Sequence, residues 1–138
     1  MDEIQHLKRI GIVGSRNFGD LSRVSKFVEI LHQRYGDRLV IVSGGAKGVD
    51  SAAEKAADEL GIKKMIFLPR PGKPFHIAAM ERNTEIVDYS HWVYAFWSVT
   101  KESTGTIDSM RKALLAGKLV GLYTPNGAFD NTRIPGPA

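Results

Sequence analysis

Val42-Ser43-Gly44-Gly45-Ala46-Lys47-Gly48-Val49-Asp50 joins a short β-branched run, Leu39 to Val42, to an alanine-rich segment, and reads as strand, glycine turn and helix start. Such a turn aims unpaired backbone N–H groups and the positive end of a helix dipole at one place, which suits a phosphate or another anion. Gly44, Gly45 and Gly48 let the chain turn sharply and approach a ligand closely, and Lys47 adds a mobile positive charge. A glycine turn after a strand also serves as a plain βα connection, so the flanking segments decide the reading.

Upstream, Ile10 to Val13 is a compact apolar run that reads as a strand buried on both faces, ending in Gly14-Ser15-Arg16-Asn17. Asp20 is placed to cap a helix in which Leu21, Val24, Phe27, Val28 and Leu31 recur until Gly36-Asp37. Downstream, Val49, Ala52, Ala53, Ala56, Ala57 and Leu60 fall at three- and four-residue steps, with Gly61 as stop. Met65 to Leu68 reads as the third strand, closed by the loop Pro69-Arg70-Pro71-Gly72-Lys73-Pro74. Ile77, Met80, Thr84 and Val87 mark a third helix, and Trp92 to Trp97 a fourth strand. After the polar stretch Ser98 to Thr106 comes a helix with Ile107, Met110 and Leu114 inward, then a fifth strand from Leu119 to Tyr123. The pattern β-α-β-α-β-α-β-α-β with right-handed crossovers predicts a single-domain α/β fold, a doubly wound sheet of five mainly parallel strands with helices on both faces.

The length of 138 residues and a hydrophobic fraction of 43% fit one globular domain, taken as residues 1–123, with 124–138 expected as a loosely ordered tail. Cysteine is absent, which excludes disulfides, thiolate metal sites and a cysteine nucleophile. His6, His32, His76 and His91 lack ligand spacing, so no metal is expected. No basic leader with a long apolar run begins the chain and no apolar run is long enough to span a bilayer, so a cytoplasmic protein without a membrane partner is expected. Lys and Arg exceed Asp and Glu by 19 to 15, a mild excess that attracts anionic ligands without marking a nucleic-acid binder.

In doubly wound sheets ligands bind beyond the carboxyl ends of the strands, where the strand order reverses. Gly14-Ser15-Arg16, Ser43 to Asp50 and Thr104-Gly105-Thr106 all follow strand ends and are expected to meet there. Thr104 and Thr106 serve either as hydroxyl donors to a ligand or as helix caps, and Arg16 either pairs with an anion or is solvated. Asp50 either favours its helix terminus or accepts from ribose hydroxyls, while Glu81-Arg82-Asn83 is either a solvated helix face or part of the site. Trp97 fits the core or a stacking platform for a base. Neither a Gly-x-Ser-x-Gly elbow nor a Gly-x4-Gly-Lys-[Ser/Thr] loop occurs.

Four blocks in order, Gly11-Ile12-Val13-Gly14-Ser15-Arg16, Ser43 to Asp50, Arg82-Asn83 and Ser103-Thr104-Gly105-Thr106, resemble the SLOG superfamily of Rossmann-like nucleotide-ligand domains. That group unites DNA-processing protein A (Smf) with the Lonely-guy phosphoribohydrolases, and the resemblance is closest to small stand-alone members related to YspA and YpsA. It implies a binding or sensing domain for a nucleotide-derived molecule such as ADP-ribose, an NAD relative or a nucleoside monophosphate. It also implies no obligatory cofactor, and pairing into a homo-oligomer. The ligand-binding residues it implies are Gly14, Ser15, Arg16, Ser43, Gly44, Gly45, Ala46, Lys47, Asp50, Arg82, Asn83, Thr104, Gly105 and Thr106.

One alternative is a nucleoside-5′-monophosphate phosphoribohydrolase, and a second is single-stranded DNA binding. Lonely-guy enzymes carry Met-x-x-Arg-Lys, and here Met80 is followed by Glu81-Arg82-Asn83, which supplies the arginine without the lysine. They also carry Pro-Gly-Gly-x-Gly-Thr-x-x-Glu, where this chain has Ser109 in place of the acid and Asp108 one position early, about 100° round the helix and expected to point elsewhere. Glycosidic cleavage passes through an oxocarbenium-like state that a carboxylate stabilises and serine does not. The candidates left for another hydrolysis are Asp50, Glu81 and Arg82.

Overall fold

The computed structural model describes residues 6–98, 104–125 and 127–128. Strands β1 (Lys8–Gly14), β2 (Leu39–Ser43), β3 (Lys63–Ile66), β4 (Trp92–Phe96) and β5 (Leu119–Thr124) alternate with helices α1 (Ser22–Tyr35), α2 (Val49–Leu60), α3 (Phe75–Tyr89) and α4 (Thr104–Leu115). The sheet order is β3-β2-β1-β4-β5, all parallel, with β3 at the outer edge. A two-residue strand β6, Gly127–Ala128, pairs antiparallel with β5. It falls in the stretch read as a tail, whose residues 126 and 129–138 lie outside the described part.

The period of two along each strand sorts the core into two layers. Ile10, Ile12, Ile41, Tyr94 and Phe96 pack with Val24, Val28 and Leu31 of α1 and with Val49, Ala53 and Ala57 of α2. Val13, Val40, Val42, Val93 and Ala95 face the other way, against Ile86 and Val87 of α3 and Ala113 of α4. The alanines of α2 let that helix lie close to the sheet, as its spacing predicts. Asp20 accepts from the Ser22 amide at 3.1 Å but stands two residues ahead of the first residue of α1, so the cap position itself falls to Leu21 and not to the expected Asp20.

Three further expectations are corrected. Strand β3 begins two residues before the apolar run Met65 to Leu68, because the Ile62 amide bonds Ala57 O at 2.8 Å and buries Ile62, which starts the strand directly after the helix stop. On α3 the buried residues are Ala78, Asn83, Ile86 and Val87, while Ile77 and Met80 are exposed. The helix is rotated so that Arg82 and Asn83 turn toward a polar network instead of water. On α4 the small residues Thr106, Ser109 and Ala113 pack inward, with Ile107 and Met110 half-buried and Leu114 exposed. Small side chains win these positions because α3 and α4 pack against each other as well as against the sheet. Among the described residues no helix is long and apolar enough to cross a membrane.

Candidate functional site

Strand β1 lies between β2 and β4: the crossover through α1 carries the chain to one side of it and the crossover through α3 returns the chain to the other, which opens a crevice at its carboxyl end. A cleft of about 640 Å³ occupies that crevice. Val13 and Gly14 come from β1, Arg16 from the following loop, and Ala46 and Asp50 from the glycine loop and α2. Helix α3 supplies Phe75, Met80, Arg82 and Asn83, and α4 supplies Thr104 to Ser109 and Arg111. A smaller hollow of about 270 Å³ near His32, Asp37 and Lys63 gathers none of the predicted site residues.

Gly14, Arg16, Ala46, Asp50, Arg82, Asn83, Thr104, Gly105 and Thr106 thus meet around one cleft. The remaining predicted residues stand behind it or outside it. Ser15 is buried: its amide bonds Phe96 O at 3.0 Å and its hydroxyl accepts from the Ser98 amide at 2.9 Å, which latches the ends of β1 and β4 together. Lys47 is exposed and lines no part of the cleft. Glu81 sits about 100° round α3 from Arg82 and pairs with Lys73 at 2.8 Å, so this candidate acid is on the solvated face.

The glycine loop departs from its expected chemistry. Its amides are the predicted phosphate donors, yet Gly45 N–H donates to Glu54 Oε2 at 3.0 Å and Ala46 N–H to Asp50 Oδ2 at 3.2 Å. Glu54 Oε2 also accepts from Ser43 Oγ at 2.7 Å. The carboxylates of α2 therefore satisfy, from within the chain, donors that a free loop offers to a ligand. Close approach fixes the loop: Gly48 has φ +79°, and a Cβ there would stand 2.4 Å from Arg16 O. Glu54 is absent from the sequence-derived site, although its position four residues after Asp50 puts both carboxylates on one side of α2.

A second network joins α3, α4 and the loop. Arg82 Nη1 donates to Gly44 O and Arg82 Nε to Asn83 Oδ1 at 2.9 Å. Asn83 is 5% exposed, and its Nδ2 donates to Gly105 O at 3.3 Å and to Asp108 Oδ2 at 3.1 Å. Lys112 Nζ donates to the same Asp108 oxygen at 2.8 Å and to Met80 O at 2.7 Å. Contrary to expectation, Asp108 lines the cleft beside Ser109, because the first turns of α4 run along its wall; its Oδ2 is held by Asn83 and Lys112.

The cleft is short of negative charge. Arg16, Arg82 and Arg111 line it, and Arg16 has no ion pair among the described residues. Burial lowers the Arg82 pKa, an effect that neighbouring Arg16 deepens and Asp50 opposes. Asp50, 7% exposed, is pushed up to about 7 by burial, against the lowering influence of the Ala46 amide and Arg82. An incoming anion between the two guanidinium groups relieves their repulsion. The apolar part of the wall comes from Ala79, Met80, Ile107 and Phe75, the last 63% exposed at the mouth. Phe75 lines the cleft, whereas Trp97, read from the sequence as core or a stacking platform, is half-buried and lies outside the lining. The signal for Phe75 in the sequence is its position just after the proline loop, at the start of α3. Among the described residues no group of three or more His, Cys, Asp or Glu side chains stands in metal-binding reach.

The strand order and the crevice at its switch point define a Rossmann-like α/β domain. The model of the family described as DNA recombination-mediator protein A matches residues 2–88, more than half of the chain, and the chain belongs to that family. DNA processing protein A from Helicobacter pylori, whose structure was reported for its single-stranded DNA binding mode, has a TM-score of 0.69 at 19% identity over 88% of this chain and 66% of its own. The counterpart from Streptococcus pneumoniae has a TM-score of 0.55 at 23% identity over 86% of this chain and 60% of its own. TM1055 has a TM-score of 0.63 at 18% identity over 82% and 72%. At these identities the structural likeness establishes the fold, in agreement with the SLOG resemblance read from the four blocks. The chain spans less than two thirds of either DNA processing protein A chain. No curated protein sequence matches it.

Proposed function

We propose that this chain binds a nucleotide-derived molecule in the cleft between β1 and β4. The observation that carries the reading is the meeting of Arg16 and Arg82 with an apolar wall of Phe75, Met80 and Ile107 around one hollow of about 640 Å³. Arginine forks recognise phosphate oxygens, and an aromatic face beside an aliphatic wall accepts a base. The ligand phosphate lies between the guanidinium groups, and the hydroxyls of Thr104 and Thr106 stand on the adjoining wall. Calorimetric titration with AMP, ADP-ribose and NAD tests this. At least one binds saturably, and Arg16→Ala weakens it by about tenfold or more, in keeping with loss of one charged hydrogen-bonding partner. Equal affinity of wild type and variant overturns the placement.

A second reading, single-stranded DNA binding, is favoured by membership in a family described as a recombination mediator. In it the same cleft takes one nucleotide unit of the strand, its base on Phe75. Binding to an oligodeoxynucleotide whose affinity falls linearly on a log scale with salt supports this reading, and a salt-independent affinity for mononucleotides alone sets it aside.

A further inference from the structure

We propose that Asp50 takes part in binding as a neutral carboxylic acid that donates a hydrogen bond to the ligand phosphate, so that anion binding brings a proton into the cleft. The inference rests on the nucleotide reading above and adds a role for an acid in that site. The lining holds two acids, Asp50 and Asp108. Asp108 is paired with Lys112 at 2.8 Å and bonded to Asn83, so its charge is matched within the wall. Asp50 is 7% exposed, and among the described residues no cation stands within ion-pair distance of it. Burial without a paired cation disfavours the carboxylate and raises its pKa to about 7.

Arg82 is close to Asp50 without being paired to it. A Cβ on Gly44 would stand 2.8 Å from Arg82 Nη1 and 3.0 Å from Asp50 Oδ2, so both groups crowd one side of that glycine. The positive charge of Arg82 favours the ionised form of Asp50, and Glu54, one turn along α2, opposes it. Arg16, from the loop after β1, acts on Arg82, while His76 of α3 and Arg111 of α4 complete the charged lining. Strands β1 and β2 and helix α1 meet α2 through apolar side chains such as Ile12, Ile41 and Val28. On β3, Lys64 is paired with Asp58, two turns from Asp50 along α2, and Lys63 reaches Asp37 O.

An anion seated between Arg16 and Arg82 changes this balance twice. It offsets the Arg82 field that favours the carboxylate, and it repels a negative charge on Asp50 directly. Both effects favour the protonated acid, whose O–H matches a phosphate oxygen as donor to acceptor. Since Oδ2 accepts from the Ala46 amide at 3.2 Å, the proton sits on Oδ1. The solvent supplies that proton, and the uptake can be counted.

Calorimetry in two buffers of different ionisation heat gives the protons taken up per ligand. The probes are AMP, ADP-ribose and an oligodeoxyadenylate, titrated between about pH 7.5 and 9, where their phosphates keep a constant charge. Which of them binds identifies the source of the phosphate. Wild type is expected to take up about half a proton or more at the lower pH and to lose about fivefold or more in affinity by the upper one. Asp50→Asn keeps a donor without a titrating proton; it is expected to take up none and to bind equally at both pH values. His76→Gln is expected to keep the wild-type slope. Constant affinity without proton uptake in wild type overturns the proposal and leaves the nucleotide reading standing, whether or not Asp50→Asn folds. A slope kept by a folded Asp50→Asn protein, or lost in His76→Gln, overturns it as well. Failure of all three probes to bind overturns the nucleotide reading and this inference together.

Discussion

Arg82 donates through Nη1 to the carbonyl oxygen of Gly44, a charged hydrogen bond that ties helix α3 to the loop after β2 across 38 residues of chain. The guanidinium group that lines the cleft is therefore also a strut of its wall. Arg82→Ala is expected to weaken ligand binding by about tenfold to a hundredfold and to lower unfolding stability by about 1–3 kcal/mol, because Gly44 O and Asn83 Oδ1 lose their donor. Arg82→Lys recovers little of either, since an ammonium is a point donor where a fork is needed. Calorimetry and urea unfolding on the two variants check this, and an Arg82→Lys protein with full affinity contradicts it.

Gly48 and Gly61 separate a crowded glycine from an open one. Both have positive φ, +79° and +69°, but a Cβ on Gly48 would stand 2.4 Å from Arg16 O, whereas nothing lies within 4 Å of one on Gly61. Gly61→Ala is expected to cost about 1 kcal/mol of stability, the conformational penalty alone, and Gly48→Ala clearly more than about 2 kcal/mol, with the Arg16 loop displaced. Urea midpoints measured side by side decide the matter; equal losses refute it.

Burial holds the Asp50 carboxyl near 7 in the folded chain against an ordinary value of 3.8. A folded-state value above the unfolded one means that the native protein binds this proton more tightly. The contribution of Asp50 is thus fully present below about pH 3.8 and is lost as pH rises toward 7. Asp50→Asn keeps an acceptor for the Ala46 amide and removes the titration. Its stability relative to wild type is expected to rise between pH 4 and pH 7 by up to about 4 kcal/mol, and then to level off. Paired unfolding curves at several pH values measure it, and a flat difference overturns the assignment.

Ser109, 2% exposed, stands where the phosphoribohydrolase resemblance places a carboxylate, and Asp108 beside it is bonded to Asn83 and Lys112. With its neighbouring acid engaged, the cleft is expected to return AMP intact. Prolonged incubation followed by chromatography for adenine checks the point; catalytic release of free base would require another acid in the cleft, Asp50 foremost.

The unit from Leu39 to Gly61 was readable residue by residue, because strand, turn and helix there each carry an unambiguous local signal: β-branched run, clustered glycines, alanines at helical spacing. The same local logic misplaced the faces of α3 and α4. Ile77, Met80 and Leu114 form apolar rows at the right spacing, yet a polar chain through Arg82, Asn83, Asp108 and Lys112 turned both helices and left these residues exposed. Such a chain is held together by residues far apart in sequence, and periodicity does not register it. Convergence of the three loops followed from topology alone. That Glu54 reaches back into the loop did not, since an acidic residue in the second turn of a helix most often faces water.

Lys63 and Lys64 open β3, the outer strand, and because successive side chains alternate they set an ammonium on each side of the sheet's rim, Lys64 being moored to Asp58 at 2.7 Å. A foreign chain trying to zip onto that rim has to strip water from two ammonium groups, of which Lys64 is paired with the Asp58 carboxylate and Lys63 meets only the Asp37 carbonyl among the described residues. The flank of the molecule remote from its cleft is thereby kept unsociable, a safeguard against fibre-like stacking written into two neighbouring lysines.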